Sequence, residues 1–499
     1  MRNPELDELA SSVASGESLN SRIMRGSAWV AVSYGGRNLV SILTMLALVR
    51  LLEPRAFGLV ALAWTVLVVC DQVQDAGTAA ALVFRRDQVE RAAATAAVFL
   101  WFSSLVLYGI AFAIAPLVAD LFHSPELTNI LRVMALLLVV KGIGSAPVTI
   151  LERNIDFRLR AKCDIAGALA QAGVSLGLAF DGRGVWALVL GQLAGAAVLS
   201  AIAWVVVPWR PDPRRASFQL GREMVRYGRY VSATNVVNLA NNTVDNVVVG
   251  RLLGPATLGF YAVAFRLADF PNTVIGHVVG RVMFPIYALL QNELERFRKA
   301  YVENLQRIAV FSLPVSVAVL VAADPIVRGL LGDRWEQATT PLRILAVYGL
   351  IKSFTAPSGE VFKGVGKPHV GLLLGLMQFA VTAPALILLV PRYGLKGAAF
   401  AMLGSVAVNG TARLAVSLRL LDATPGEVGR ALARPVLCAA LLGVTLALLL
   451  PAAHALGPTA GLAMLTSAGC VVYVVAMLAF ARSVVGPMWG GLRGAGLGT

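Results

Sequence analysis

Arg50-Leu51-Leu52-Glu53-Pro54-Arg55-Ala56-Phe57-Gly58 is echoed 201 positions later by Arg251-Leu252-Leu253-Gly254-Pro255-Ala256-Thr257-Leu258-Gly259. Each copy of this motif joins two long apolar segments. An apolar chain made of two halves on one plan is typical of membrane transporters, in which repeated helical bundles surround a transport path. The motif therefore predicts two related lobes in one membrane domain.

The composition supports a membrane protein. The 499 residues are 57% hydrophobic and only 14% charged, whereas soluble domains carry about 25% charged residues. Apolar stretches of about 20 residues recur along the chain, and each is long enough to cross a bilayer core of about 30 Å. We therefore predict an all-α polytopic membrane protein.

The apolar runs, read between charged or Pro/Gly breaks, give about fourteen transmembrane helices. Their predicted limits are 27–49, 58–84, 93–119, 128–150, 163–180, 185–207, 229–250, 257–288, 302–323, 341–362, 369–390, 396–418, 435–451 and 460–481.

A second echo supports the repeat. Ala146-Pro147 matches Ala356-Pro357, and Gly184-Val185 matches Gly394-Leu395, both at an offset of 210. Six spans separate the copies, so the repeat is parallel: two six-helix lobes and two further C-terminal helices. The predicted units are a cytoplasmic tail (1–24), an N-terminal lobe (25–208), a basic linker (209–228), a C-terminal lobe (229–420), and two accessory helices with a tail (421–499).

The net charge of +15 is explained by topology. Lys and Arg resist translocation, and the densest basic segment lies in the predicted linker: Arg210, Arg214, Arg215, Arg222, Arg226 and Arg229. This places the linker and both termini in the cytoplasm of a protein of the cytoplasmic membrane. Anionic headgroups attract such segments, so a nucleic-acid partner is not needed.

Cations within the spans are the first candidates for a functional site, because placing an ionisable group at the bilayer centre costs about 2.5–3.5 kcal/mol or more. Those in the middle of the first, fourth, eighth and tenth spans are Arg37, Lys141, Arg266 and Lys352. They are candidate binding residues for phosphate or carboxylate groups. Alternatively, Arg266 and Asp269, spaced i and i+3, neutralise each other.

One helical face is polar in both copies of the repeat. The first span places Ser33, Arg37, Ser41 and Thr44 on it, and the seventh span answers with Thr234, Asn238, Asn242 and Asp245. We predict a hydrated cleft between the lobes, with Ser33, Ser41, Asn238 and Asn242 as its polar lining. Helix packing through the same hydroxyls and amides is the alternative.

Acidic residues in the spans are candidates for ion coupling. Asp71, Asp245 and Asp269 could take up a proton or bind Na⁺ to drive transport. For Asp71, a structural pairing with Arg37 is an equal alternative.

Signatures of enzymes are absent from the sequence. Gly364-Val365-Gly366-Lys367-Pro368 lacks the first glycine and the Ser or Thr of a phosphate-binding loop. The four histidines are scattered, and the four cysteines have no metal-ligand spacing. We predict a transporter with no catalytic residue, no cofactor and no metal.

The sequence resembles the multidrug/oligosaccharidyl-lipid/polysaccharide (MOP) exporter superfamily, and within it the polysaccharide-exporter and O-antigen-flippase branch. The resemblance rests on Arg25-Gly26-Ser27-Ala28-Trp29, on residues 50–58, and on Asp75-Ala76-Gly77, and covers about 25–480. It implies two six-helix lobes around a central cavity, and alternating access that moves an undecaprenyl-pyrophosphate-linked oligosaccharide between leaflets. A cationic cavity suits such a substrate.

Three other functions are alternatives to the export of lipid-linked oligosaccharide. They are a MATE-like multidrug antiporter, a lipid II flippase, and a membrane polymerase or ligase acting on lipid-linked glycans. Expected partners are the lipid-linked oligosaccharide, membrane lipids and polysaccharide polymerase machinery.

Overall fold

The computed structural model describes residues 36–75, 89–153, 157–273 and 293–480, except for 209, 211, 213 and 215, together with 283, 287, 290 and 291. In these ranges every regular element is helical. The helices are α1 (36–51), α2 (Pro54–Asp75), α3 (Val89–Leu121), α4 (Glu126–Met134), α5 (Leu136–Arg153), α6 (Phe157–Phe180), α7 (Val185–Val206), α8 (Phe218–Ala268), α9 (Leu294–Val321), α10 (Ala323–Ile326), α11 (Thr339–Gly364), α12 (Pro368–Leu420), α13 (Pro425–Leu456) and α14 (Pro458–Phe480). A π-helical turn at Val327–Leu331 and a 3-10 helix at Asp333–Ala338 connect α10 to α11.

Ten helical segments in the described residues are long and apolar enough to cross a membrane. The prediction of an all-α polytopic membrane protein is confirmed. The predicted first span, 27–49, lies only partly within the described residues, and α8 begins well before the predicted span at 229–250.

Two of the helices are far longer than one crossing needs. The helix α8 has 51 residues and α12 has 53, whereas about 20 residues span a bilayer. Each is broken at a glycine with positive φ, 83° at Gly254 and 56° at Gly394, a conformation that other residues adopt only with strain. We call the parts α8a (218–253), α8b (255–268), α12a (368–393) and α12b (395–420).

The two last helices pack on the second half of the chain. The helix α13 begins where the Thr424 hydroxyl accepts a hydrogen bond from the Glu427 backbone N–H at 3.3 Å, directly before Pro425, a favourable start for a helix. The Tyr473 hydroxyl on α14 donates to the Val310 carbonyl on α9 at 2.7 Å. This contact places α14 against α9, and α13 packs on α9 as well.

The largest core joins the two halves. Trp335 is fully buried between Phe57 and Phe260, with ring centroids 5.4 and 5.6 Å away and edge-to-face angles. Its indole N–H donates to the Val49 carbonyl at 2.9 Å. Because a buried indole N–H needs a partner, this contact fixes the tryptophan between the start of α2 and the start of α8b.

The repeated motif makes a reciprocal contact. A Cβ added to Gly58 on α2 would overlap the carbonyl oxygen of Pro255, and a Cβ added to Gly259 on α8b would overlap the carbonyl oxygen of Pro54. Glycine allows two backbones to approach this closely, as small residues do in membrane helix pairs. The two motif copies therefore hold α2 and α8b together at the ends where these helices begin.

Candidate functional site

A cavity of about 360 Å³ lies between α2 and α8a. This volume is within the range of about 300–1,000 Å³ that holds small ligands in proteins. Its lining residues are Trp64, Thr65, Val68 and Gln72 on α2, and Asn235, Asn238, Leu239, Asn242, Thr243 and Asn246 on α8a. Seven of these ten residues are polar, although the cavity lies between two membrane helices.

Lys141 on α5 stands at the α2 wall of this cavity. Its ammonium is 3.3 Å from Oδ2 of Asp71 and 5.3 Å from the centre of the Trp64 ring. The lysine and aspartate side chains are 42% and 45% exposed, so the pair is accessible from outside the packed helices. The predicted alternative for Asp71, a pairing with Arg37, is replaced by this pairing with Lys141.

Lys352 on α11 stands at the other wall. Its ammonium is 3.3 Å from Oδ1 of Asp269 and donates to Oδ1 of Asn242 at 3.5 Å. The rings of Tyr348 and Phe265 lie 5.4 and 5.7 Å from it. This pair is less exposed than the first, at 24% and 16%. The alternative in which Arg266 neutralises Asp269 does not hold, since the aspartate pairs with the lysine.

The two arginines have different neighbours. Nη1 of Arg37 on α1 lies 3.8 Å from Oδ1 of Asp164 on α6, a carboxylate that Arg160 also contacts at 3.1 Å. Arg266 on α8b instead donates from Nη2 to the Ser41 hydroxyl on α1 at 2.9 Å. Among the four predicted cations, Arg266 is the one that has no carboxylate contact within the described residues.

The predicted polar face of α8a lines the cavity in part. Asn238 and Asn242 lie on its wall, and the Asn242 amide donates to the Asn238 carbonyl at 2.8 Å. Ser41 contacts Arg266 rather than the cavity lining. Ser33 lies outside the described residues.

Asn241 and Asp245 face the protein interior. The Asn241 amide donates to the carbonyls of Val237 and Gly375, both at 3.0 Å, so it holds α8a against α12a. Asp245 is 2% exposed, and its Oδ2 accepts from the Tyr261 hydroxyl at 2.9 Å. Both side chains therefore bond groups within the protein, and neither lines the cavity.

Several residues of the site were not predicted from the sequence. Trp64 and Gln72 on α2, and Asn246 on α8a, line the cavity, and Tyr348 packs on the Lys352 ammonium. Asn246 continues the spacing of Asn235, Asn238 and Asn242 by one further turn, so an extended helical-face search would have found it. No group of three or more His, Cys, Asp or Glu within the described residues could hold a metal ion.

The family is evident from a comparison with known proteins. A family model described as polysaccharide biosynthesis protein matches residues 47–340, which is more than half of the chain. The chain belongs to this family. The match includes α2, α5 and all of α8, so it covers the helices that form both cavity walls.

A curated relative matches nearly the whole chain. The sequence is 27% identical over 473 residues to the succinoglycan biosynthesis transport protein ExoT of Rhizobium meliloti (strain 1021), covering 93% of this chain and 94% of ExoT. The resemblance to the polysaccharide-exporter branch, stated above from short motifs, is confirmed.

Solved structures share the fold. The lipid II flippase MurJ in an inward closed conformation superposes with a TM-score of 0.65 at 13% identity, covering 96% of this chain and all of MurJ. An inward-facing multidrug resistance MATE transporter of the MOP superfamily superposes with a TM-score of 0.58 at 18% identity, covering 81% and 94%. At these identities the likeness concerns the fold, and it does not choose among their functions.

Proposed function

We propose that this protein is a flippase. It moves a lipid-linked oligosaccharide of the undecaprenyl-pyrophosphate type, or a polysaccharide, across the cytoplasmic membrane for the synthesis of surface polysaccharide. The family and a whole-length relative named as a polysaccharide transport protein support this function. Transport, rather than catalysis, also fits a cavity that lies between two halves of a membrane protein.

The observation that carries the proposal is the polar cavity between α2 and α8a, with a lysine at each wall. Lys141 contacts the lining residue Trp64, and Lys352 contacts the lining residue Asn242. Polar groups inside a membrane are costly unless they face water or a ligand. A hydrated path for the hydrophilic headgroup of a lipid explains why they are present.

The proposed architecture has fourteen membrane crossings. Gly254 and Gly394 each break one long helical segment into two parts, and counting each part as a crossing supports lobes at 25–208 and 229–420 followed by accessory helices at 421–499. The basic linker at 209–228 then lies in the cytoplasm with both termini, according to the distribution of Lys and Arg. In this orientation, the repeated motif lies at the external face.

The proposed transport cycle is alternating access. The reciprocal contact of Gly58 with Pro255, and of Gly259 with Pro54, joins the halves at the external face, and Trp335 fills the space between Phe57 and Phe260 there. The captured state is thus closed to the outside. Transport to the outer leaflet requires α2 and α8b to separate at this contact.

Residue roles follow from the contacts. Arg266 is the first choice for the diphosphate, because its partner Ser41 is an uncharged hydroxyl that a phosphate oxygen can replace. Arg37, Lys141 and Lys352 are assigned to the same anionic group, which must compete with their carboxylate partners. Asp71 and Asp269 are assigned to ion coupling, since a carboxylate released from its cation can take up a proton or Na⁺. Asp245, whose partner is the Tyr261 hydroxyl, is assigned to the same role as a carboxylate within a membrane helix.

The test is a deletion strain analysed for undecaprenyl-linked oligosaccharide and surface polysaccharide. Accumulation of the lipid-linked form on the cytoplasmic face, with loss of the polymer, is the expected result. Unchanged glycans with new sensitivity to cationic drugs would instead identify a multidrug antiporter. Loss of cell-wall synthesis with normal surface polysaccharide would identify a lipid II flippase.

A further inference from the structure

Four asparagines form a stripe on one face of α8a. Asn235, Asn238, Asn242 and Asn246 follow each other at spacings of three and four residues, and all line the cavity. Such spacing places side chains one above the other on a helix. The stripe spans about three turns, or roughly 16 Å of helix, so it can contact a ligand longer than one small group.

Most of these amides have no partner in the protein. In the part of the chain that the structure describes, no hydrogen bond reaches the side chains of Asn235, Asn238 or Asn246, and Gln72 on the opposite wall is equally unpartnered. Asn241, which faces away from the cavity, makes two hydrogen bonds that hold helices together. The side chains of Asn235, Asn238 and Asn246 therefore do not join helices, as Asn241 does.

The repeat gives independent support. At an offset of 201, the positions of Asn235, Asn238, Asn242 and Asn246 correspond to Tyr34, Arg37, Ser41 and Met45. The first half of the chain carries no amide at these positions, and Arg37 and Ser41 there contact Asp164 and Arg266. The repeated architecture therefore does not require amides at this face. A function specific to this wall of the cavity explains them.

The cavity itself carries no charge. All ten lining residues are uncharged, and the two lysines at its margin each lie 3.3 Å from a carboxylate. A charged sugar would enter this space without a counterion of its own and would lose its hydration at considerable cost. An uncharged sugar meets hydrogen-bonding groups, the Trp64 ring, and the apolar side chains of Val68 and Leu239.

We propose that the cavity binds uncharged sugar units of the substrate. The asparagine amides hydrogen-bond the sugar hydroxyls, because each amide offers two donors and one acceptor oxygen. Trp64, which is 40% exposed, packs against the C–H face of a pyranose ring, an arrangement that suits the negative face of an aromatic ring. This inference rests on the proposed function and adds the charge class of the saccharide: neutral sugars occupy the stripe, whereas the diphosphate lies with the cations.

The test measures sugar binding directly. The full-length protein in lipid nanodiscs is examined by saturation-transfer NMR with soluble trisaccharides: neutral ones built from glucose, galactose, mannose or N-acetylglucosamine, and the acidic trigalacturonic acid. We expect at least one neutral trisaccharide to receive saturation and the acidic one to receive none. If the acidic probe binds as well as every neutral one, or no neutral probe binds, the inference is wrong.

Variants locate the binding to the stripe. The double variant Asn238→Leu with Asn246→Leu keeps side-chain size and leaves the hydrogen bond between Lys352 and Asn242 in place. Each lost hydrogen bond to the sugar should weaken binding about two- to tenfold. Val236→Leu is the matched control, because Val236 lies on the same helix, is 52% exposed and is not a lining residue. Farnesyl diphosphate serves as the phosphate probe, and its binding should not change in the double variant.

The two proposals fail separately. Unchanged trisaccharide binding in the asparagine variant overturns the saccharide site, even if the deletion strain accumulates lipid-linked oligosaccharide. A deletion strain with normal lipid-linked oligosaccharide overturns the flippase function, whatever the nanodisc protein binds.

Discussion

Arg50 and Arg251 occupy the same position in the two copies of the repeated motif, and each side chain crosses to the opposite half of the chain. Arg50 donates from Nε to the Leu330 carbonyl at 2.9 Å and from Nη2 to the Gly329 carbonyl. Arg251 contacts Nδ1 of His123 at 2.8 Å. His123 follows α3 and Leu330 precedes α11, so both arginines reach the connection after the third span of the opposite lobe. Two equivalent contacts therefore join the halves at one face.

Removing both arginines should favour the state that is open to the outside. Arg50→Ala with Arg251→Ala deletes the hydrogen bonds that join the halves in the closed arrangement, and a two-state equilibrium shifts when contacts in one state are lost. The measurement introduces Thr243→Cys, a cavity position, as a reporter and labels it with an impermeant maleimide added outside cells. The background carries Ser at the four native cysteines.

The matched control is Arg183→Ala, which removes an exposed arginine whose partner, Asp181, lies in the same turn. External labelling of the Thr243→Cys reporter should rise several-fold in the double variant and not in the control. Equal labelling in both variants would show that the motif arginines do not hold the external face closed.

Alanine at Gly58 or Gly259 should destabilise the closed arrangement more than either arginine change. The new methyl group would overlap a proline carbonyl of the opposite half, and overpacking of this kind costs about 1–3 kcal/mol or more. The expected result is a lower melting temperature in detergent and stronger external labelling of the same cysteine reporter.

Gly109→Ala is the control for this experiment. Gly109 lies within α3, and nothing lies within 4 Å of a Cβ placed there. Because alanine favours a helix over glycine by about 1 kcal/mol, this variant should be as stable as the wild type or slightly more stable. A normal melting temperature and normal labelling in Gly58→Ala would contradict the close contact with Pro255.

The fold was predictable because hydropathy and Pro/Gly breaks act locally. The breaks at Gly254-Pro255 and Gly394 fall between predicted spans, and the structure bends there. Helix ends were less predictable, since α8 begins at Phe218, within the predicted basic linker. Charge alone does not end a helix, and the linker contains good helix formers.

The membrane cations were predictable as exceptions within apolar helices, but their partners were not. Asp71 and Lys141 are separated by 70 positions, and Asp269 and Lys352 by 83. Such pairs depend on which helices become neighbours, and periodicity along one helix carries no information on that. The repeat does carry a signal for Trp64: at the 201 offset it corresponds to Phe265, and both rings lie near a lysine.

The two lysine–aspartate ion pairs should contribute differently to the stability of the protein. The Lys352–Asp269 pair is 24% and 16% exposed, and the Lys141–Asp71 pair is 42% and 45% exposed. Removing one partner of a buried pair leaves an uncompensated charge and costs more than removing one partner of an exposed pair. We expect Asp269→Asn to lower the melting temperature clearly and Asp71→Asn to change it little.

A double-mutant cycle separates pairing from side-chain loss. Lys352→Met with Asp269→Asn should recover part of the stability that Asp269→Asn loses, because no unpaired charge remains. Additive losses in the cycle would show that Lys352 and Asp269 do not act as a pair in the membrane.

Substitution of Arg266 should reduce transport more than substitution of any of the other three predicted cations. Within the described residues, its guanidinium forms a hydrogen bond with the Ser41 hydroxyl and no ion pair with a carboxylate. An anionic headgroup can therefore bind it without displacing a carboxylate. Arg266→Ala should reduce export of surface polysaccharide at least about tenfold at unchanged membrane abundance, since the charge-assisted contact proposed for the diphosphate is lost. Arg266→Lys should restore export only in part, because a lysine keeps the charge but not the planar fork.

Ser41→Ala is the control that separates the two roles of the arginine: it removes the inter-lobe hydrogen bond and leaves the cation in place. If Ser41→Ala abolishes export as completely as Arg266→Ala, the arginine acts by joining α1 to α8b. If Ser41→Ala exports normally, the positive charge itself is what the substrate requires.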